Sequence, residues 1–256
     1  MTNRHGRVGR WIVFGLTVVV MMGVGPTDRA RAESPYPEIE YTFPNQSVWT
    51  IKLNEKGEPD NPLLRLADAL FREAGIPWHG KSLPVLRMFD NLQNGSSNFS
   101  MLVKTSRLMD CCLYGTLPVA SVDIRVYRHG DTAPIGKLED LAGKSVITIH
   151  GYSYGGIGKF IRDKPNSITN NVAIKHEAAV DMLAARRADY LVDYVHPAEE
   201  VLAMKPILGL AHDLLSSKDV YLVLSKTYPD AEKVLARLEA IATRLDRKAI
   251  LGLSGD

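Results

Sequence analysis

Cysteine is almost absent from this chain of 256 residues, and its only two, Cys111 and Cys112, are neighbours. A disulfide between adjacent residues needs strained local geometry. No disulfide framework is therefore expected to hold the fold, although an oxidising compartment would permit that one bond. The simpler expectation is two small apolar side chains on either side of a strand. No Cys and His spacing suits a metal, so neither a metal nor a cofactor is expected. Excess charge of one sign is missing as well, with 31 Lys and Arg against 29 Asp and Glu. Without a basic field there is no electrostatic case for nucleic acid or anionic lipid as partner.

Long apolar runs are equally scarce. The one that exists, Trp11 to Gly25, follows Arg4, Arg7 and Arg10 and precedes Ala30-Arg31-Ala32. A positive start, a short apolar stretch and a small-residue site describe a cleaved export signal over residues 1–32. The run falls short of the roughly 20 residues that span a bilayer. No cysteine follows the cut to carry a lipid. Cleavage would remove five Arg and one Asp, leaving 26 basic and 28 acidic residues and a slightly acidic mature chain. The expected location is the periplasm.

What remains alternates between strand and helix patterns. Apolar residues at helical spacing predict helices over Asn61 to Ala74, Leu83 to Gln93, Ile157 to Arg162, His176 to Arg187 and Ala231 to Leu245. Apolar, β-branched runs predict strands at Phe99 to Val103, Val122 to Tyr127, Ser145 to Ile149, Tyr190 to Val195 and Val220 to Ser225. Residues 33 to 50 read as a lead-in to a first strand. Alternation of this kind points to an α/β protein of parallel sheets covered by helices. Ligands in open α/β sheets bind outside the carboxyl ends of strands. Asp193 stands at such an end, in Arg186-Arg-Ala-Asp-Tyr-Leu-Val-Asp-Tyr-Val-His-Pro197.

Three ordered blocks resemble the family 3 extracellular solute-binding proteins, periplasmic receptors of polar amino-acid ABC transporters. Leu83 to Gly95 with Thr105-Ser-Arg107 resembles the family's helix ending in L-x-x-G and the T-x-x-R turn after it. Ile135-Gly-Lys-Leu-Glu-Asp-Leu-Ala-Gly-Lys-Ser-Val-Ile-Thr-Ile-His-Gly151 is similar to I-x-S-L-E-D-L-x-G-K-x-V-G-V-x-x-G. Arg187, Asp189 and Asp193 match G-x-x-D-A-x-x-x-D. The resemblance implies a two-lobe periplasmic-binding-protein-like (type II) fold with hinge crossings near residues 118–124 and 215–221. One lobe would hold residues 33–120 and 216–256, the other 121–215.

The resemblance also implies a clamp for an amino-acid-like ligand. Arg107 and Thr105, with Gly151, Tyr152 and Ser153 at a helix start, would take the carboxylate, and Asp193 the ammonium. Asp189 is expected to be structural, and strand alternation is expected to turn Tyr194 away from the ligand. Two departures stand out: Gly57-Glu58-Pro59-Asp60-Asn61-Pro62 replaces the family's G-F-D-V-D-L block, and Ser96-Ser97-Asn98 follows L-x-x-G. Trp49, Tyr41 and Phe43 are then the candidate stacking residues. The function implied is a monomeric, non-enzymatic receptor that serves a membrane ABC permease. The alternatives are an adaptor docking a periplasmic enzyme or redox partner, and a prephenate-type dehydratase using Glu177 or His150.

Overall fold

The computed structural model describes residues 34–45, 55 and 60–252. The predicted export signal, Trp49 and the Gly57 to Pro59 part of the departing block lie outside these residues. In chain order the elements are β1 (Ile39–Pro44), α1 (Pro62–Ala74), β2 (Trp78–Leu83), α2 (Val85–Asn94), β3 (Phe99–Val103), β4 (Cys112–Tyr114) and β5 (Ala120–His129). Then follow β6 (Ser145–Ile149), α3 (Ile157–Arg162), β7 (Thr169–Ala173), α4 (His176–Ala184), β8 (Tyr190–Tyr194), α5 (Val195–Met204), β9 (Leu210–Ser225), α6 (Ala231–Arg244) and α7 (Arg247–Leu251).

Local chemistry explains the helix that opens the fold. Asn61 caps α1 by accepting the Leu64 N–H at 3.0 Å, Pro62 occupies the first turn, and Gly75 ends the helix at φ +65°. Leu66, Ala67, Leu70 and Phe71 are fully buried beneath it. They pack with Ile39, Phe99, Leu222 and Leu238 in one core cluster. A second cluster joins Met88 and Leu92 of α2 to Val126, Ile147, Leu191 and Val192.

The strands lie in the order β2-β1-β3-β9-β5-β8-β6-β7, with β4 paired to β9. Pairing is parallel within β2-β1-β3 and within β8-β6-β7. These two parallel groups are joined by antiparallel β5 and β9. β9 does double duty: Leu210 to Val220 pairs with β5, and Val220 to Leu224 pairs with β3. The fold is of the α/β periplasmic-binding-protein type.

Several boundaries differ from expectation. β9 begins ten residues before Val220, because Leu210 to Asp219 is a polar ribbon held by backbone pairing to β5 and carries no apolar alternation. β2 is an edge strand with the polar sequence WHGKSL, invisible to a hydrophobic pattern for the same reason. Leu83, predicted to open a helix, ends β2. α4 stops at Ala184, and Arg186 then turns the chain at φ +50°. Cys111 and Cys112 are unbonded with their Sγ atoms 3.3 Å apart, and burial, ahead of the neighbouring thiol, pushes the Cys112 thiol up to about 12.

Candidate functional site

The carboxyl ends of the parallel strands from both groups face a cavity of ≈ 150 Å³. From the first group come Phe43 at the end of β1, Met101 and Val103 of β3, and Leu63 at the start of α1. Val85, Met88 and Phe89 of α2 complete that wall. From the second group come Tyr152 and Ser153 in the turn after β6, Tyr194 at the end of β8, and Val195 and His196 at the start of α5. The connecting strands add Val122 and Val220. Among the described residues no Asp, Glu, Lys or Arg lines it.

The second wall has a polar backing. Asp193 is fully buried; its Oδ2 lies 2.6 Å from His176 Nδ1 and its Oδ1 accepts the Tyr194 N–H at 2.8 Å. His176, equally buried, reaches the Tyr152 hydroxyl through Nε2 at 3.3 Å. With Nδ1–H donated to the carboxylate, the imidazole is fixed in orientation and holds Tyr152 in turn. Tyr152, Tyr154 and Tyr194 pack with ring centroids 5.3 to 5.6 Å apart. Burial, and then the Asp193 charge, raises all three phenols above their ordinary value, so they stay neutral.

The predicted residues do not come together as a clamp. Tyr152 and Ser153 line the cavity, and so do Tyr41 and Phe43. Gly151 adjoins it at a close approach: a Cβ there would sit 2.4 Å from Val85 Cγ1, and its φ is +81°. Arg107 is off the cavity. It donates to Asp90 Oδ1 at 2.6 Å and Gln93 Oε1 at 3.3 Å, and its guanidinium stacks 5.1 Å over Phe89. Thr105 accepts the Arg107 N–H and serves its own turn. Asp193 and Tyr194 occupy the opposite faces from those anticipated: the carboxylate points into the core and the tyrosine lines the cavity. Alternation separates adjacent side chains, but in a strand covered on both sides it does not say which face is which.

Sequence reasoning missed Val85, Met88, Phe89 and Val195 as wall residues. The available signal was position for Val85 and Val195, which each begin a helix directly after a strand; Met88 and Phe89 lie one turn further along the helix that Val85 opens. Val85 also borders a separate depression that carries Arg87, Asp90, His150 and Lys175.

Comparisons with solved structures agree with the fold. An ancestral arginine-binding protein bound to arginine aligns at TM-score 0.68 and 17% identity, covering 84% of this chain and 97% of its own. A histidine kinase sensor domain with similarity to periplasmic binding proteins aligns at TM-score 0.72 and 17% identity, over 85% and 96%. The arginine-, lysine-, histidine-binding protein ArtJ of Geobacillus stearothermophilus gives TM-score 0.65 and 15% identity, over 83% and 93%. No family model and no curated protein sequence matches this chain. The class that fold and cavity define is thus a binding-protein fold with a ligand-sized cavity at its strand ends.

Proposed function

We propose that this protein is an exported receptor that captures a small molecule between two lobes and delivers it to a membrane ABC permease. The observation that carries this reading is the composition of the cavity. Its walls come from two separate groups of parallel strands, and among the described residues β5 and β9 are the strands that link the two groups in the sheet. Residues 33–120 with 216–256 would form one lobe and 121–215 the other. Bending at β5 and β9 would open the cavity to solvent, and closing would desolvate a ligand from both sides. The register shift opposite Ile124 and Arg125 leaves Leu215 as an extra residue in β9 and gives β9 a point at which to bend.

Gly151 is one contact at which the lobes would meet, against Val85 and Leu86, beside the packing of Met88 and Leu92 on Ile147 and Leu191. The protein would act as a monomer in the periplasm, by binding and without chemical conversion of its ligand. The solved binding proteins of this fold are described as bound to arginine or glutamine, which supports a small-solute ligand here. Native mass spectrometry of the mature protein mixed with fractionated metabolites tests the reading. One small molecule bound per chain, with a raised melting temperature and a compaction visible by X-ray scattering, is expected. A folded protein that retains nothing from any fraction would sink it.

A further inference from the structure

We infer that the ligand of this cavity is an uncharged molecule with an aromatic or branched aliphatic body and a single hydrogen-bonding group, and not a free amino acid. This deepens the receptor reading and rests on it. Four observations converge. The first is size: the cavity is ≈ 150 Å³. A protein cavity of about 150 Å³ lined by Leu, Ile and Phe is known to stay dry and to take up benzene. That volume suits one ring with a small substituent.

The second is the chemistry of the walls. Phe43, Phe89 and Met101 from one side face Tyr152, Tyr194 and Val195 from the other. A flat or branched apolar body gains from burial against such surfaces. The third is charge. Burying an ammonium or carboxylate requires a partner of opposite charge, and the unpaired cost is large. Among the described residues, the charged groups that the family resemblance assigns to a ligand are committed elsewhere. Arg107 holds Asp90, and Asp193 holds His176 within the core. Arg87 and Lys175 are exposed and border a separate depression beside Val85, and neither lines the cavity.

The fourth is a small remaining polarity. Asn61 lines the first wall, but its Oδ1 is taken by the Leu64 N–H; on the second wall stand Ser153, whose hydroxyl bonds no helix N–H, and His196. A pair of this kind can meet one hydroxyl or carbonyl of a ligand. The buried Asp193–His176–Tyr152 chain then has a positioning role: it fixes the aromatic face on which the ligand body rests.

The test is titration calorimetry of the mature protein with 4-methylphenol, benzyl alcohol and 3-methylbutanol, set against phenylalanine, arginine, glutamine and glutamate. Phenylalanine is the stringent control, because it keeps the ring and adds both charges. At least one uncharged probe is expected to bind at least about 100-fold more tightly than phenylalanine, since the zwitterion would bury unpaired charge. Leu63→Trp and Val122→Trp, each filling the cavity from a different element, are expected to keep the fold by circular dichroism and to weaken that binding at least about tenfold. Tight binding of any of the four amino acids overturns the inference and leaves the receptor reading standing. Silence from both sets with the protein folded overturns the inference, while the receptor reading falls only if the metabolite fractions are silent as well. Unchanged binding by both tryptophan variants places the ligand outside this cavity and overturns the inference.

Discussion

The cavity wall made by β1, β3, α1 and α2 rests on side chains such as Phe71, Leu92 and Phe99, whereas the wall made by β6, β8 and α5 rests on a buried carboxylate and imidazole. The first is held by area and shape. Hydrophobic packing is non-directional, and a residue of similar volume can often replace another. The second is held by three directional contacts, from the Tyr194 N–H to Asp193, from His176 to Asp193, and from His176 to Tyr152. Polar networks in low dielectric are rigid when complete and costly when broken. One wall can therefore drift by small substitutions while the other fixes the geometry.

The largest expected effect falls on the polar wall. Asp193→Ala leaves His176 and the Tyr194 N–H without their acceptor, and is expected to destabilise by about 4 kcal/mol. A chemical denaturation midpoint close to that of the native protein would show that the carboxylate is not integral to the wall. Next comes Met88→Ala on the apolar wall, expected to cost about 3 kcal/mol because Met88 is fully buried. It also enlarges the cavity, so larger uncharged probes are expected to bind better to this variant than to the native protein. If calorimetry shows no change of size preference, Met88 does not set the cavity's limit.

A smaller effect is expected at the strands that join the walls. Arg128 of β5 donates to Asp213 of β9 at 2.8 and 3.3 Å, and this hydrogen bonding holds the Asp213 carboxyl below its ordinary value. The folded-state pKa lies below the unfolded one, so the stabilisation is complete above the unfolded value and fades as pH falls through the folded one. Asp213→Asn is expected to cost about 2 kcal/mol at neutral pH. The gap between variant and native protein should close as acid is added from about pH 4 downward. A pH-independent gap would assign the loss to packing. The smallest effect is expected at Arg107, whose partner Asp90 is exposed. Arg107→Ala should change stability by less than about 1 kcal/mol and leave ligand binding unaltered. Loss of binding beyond about tenfold would return Arg107 to the ligand.

Legibility from sequence followed hydrophobicity. Ser145 to Ile149 and Phe99 to Val103 were readable as strands because they are buried apolar runs, and α1 because Asn61, Pro62 and Gly75 punctuate it. The polar half of β9 and all of β2 were not, since backbone pairing and not side-chain burial holds them in place. In the site, Tyr152 and Ser153 were singled out through the family resemblance, since the glycine-rich turn alone marks only a strand-to-helix connection. Arg107 was legible as a cation in a turn, but its capture by Asp90, 17 residues earlier, depends on how α2 packs against that turn.

By itself the sequence determined the alternation of strand and helix, and with it the α/β class, because period and punctuation act over a few residues; the binding-protein fold was implied by the resemblance of three ordered blocks. The sequence also determined that a carboxylate stands at the end of β8. Only the tertiary structure decided which way that carboxylate points. Both faces of β8 are covered, so the direction was set by where His176 of α4 comes to lie. That single packing choice places Tyr194 on the cavity, withdraws Asp193 from it, and leaves the cavity uncharged among the described residues.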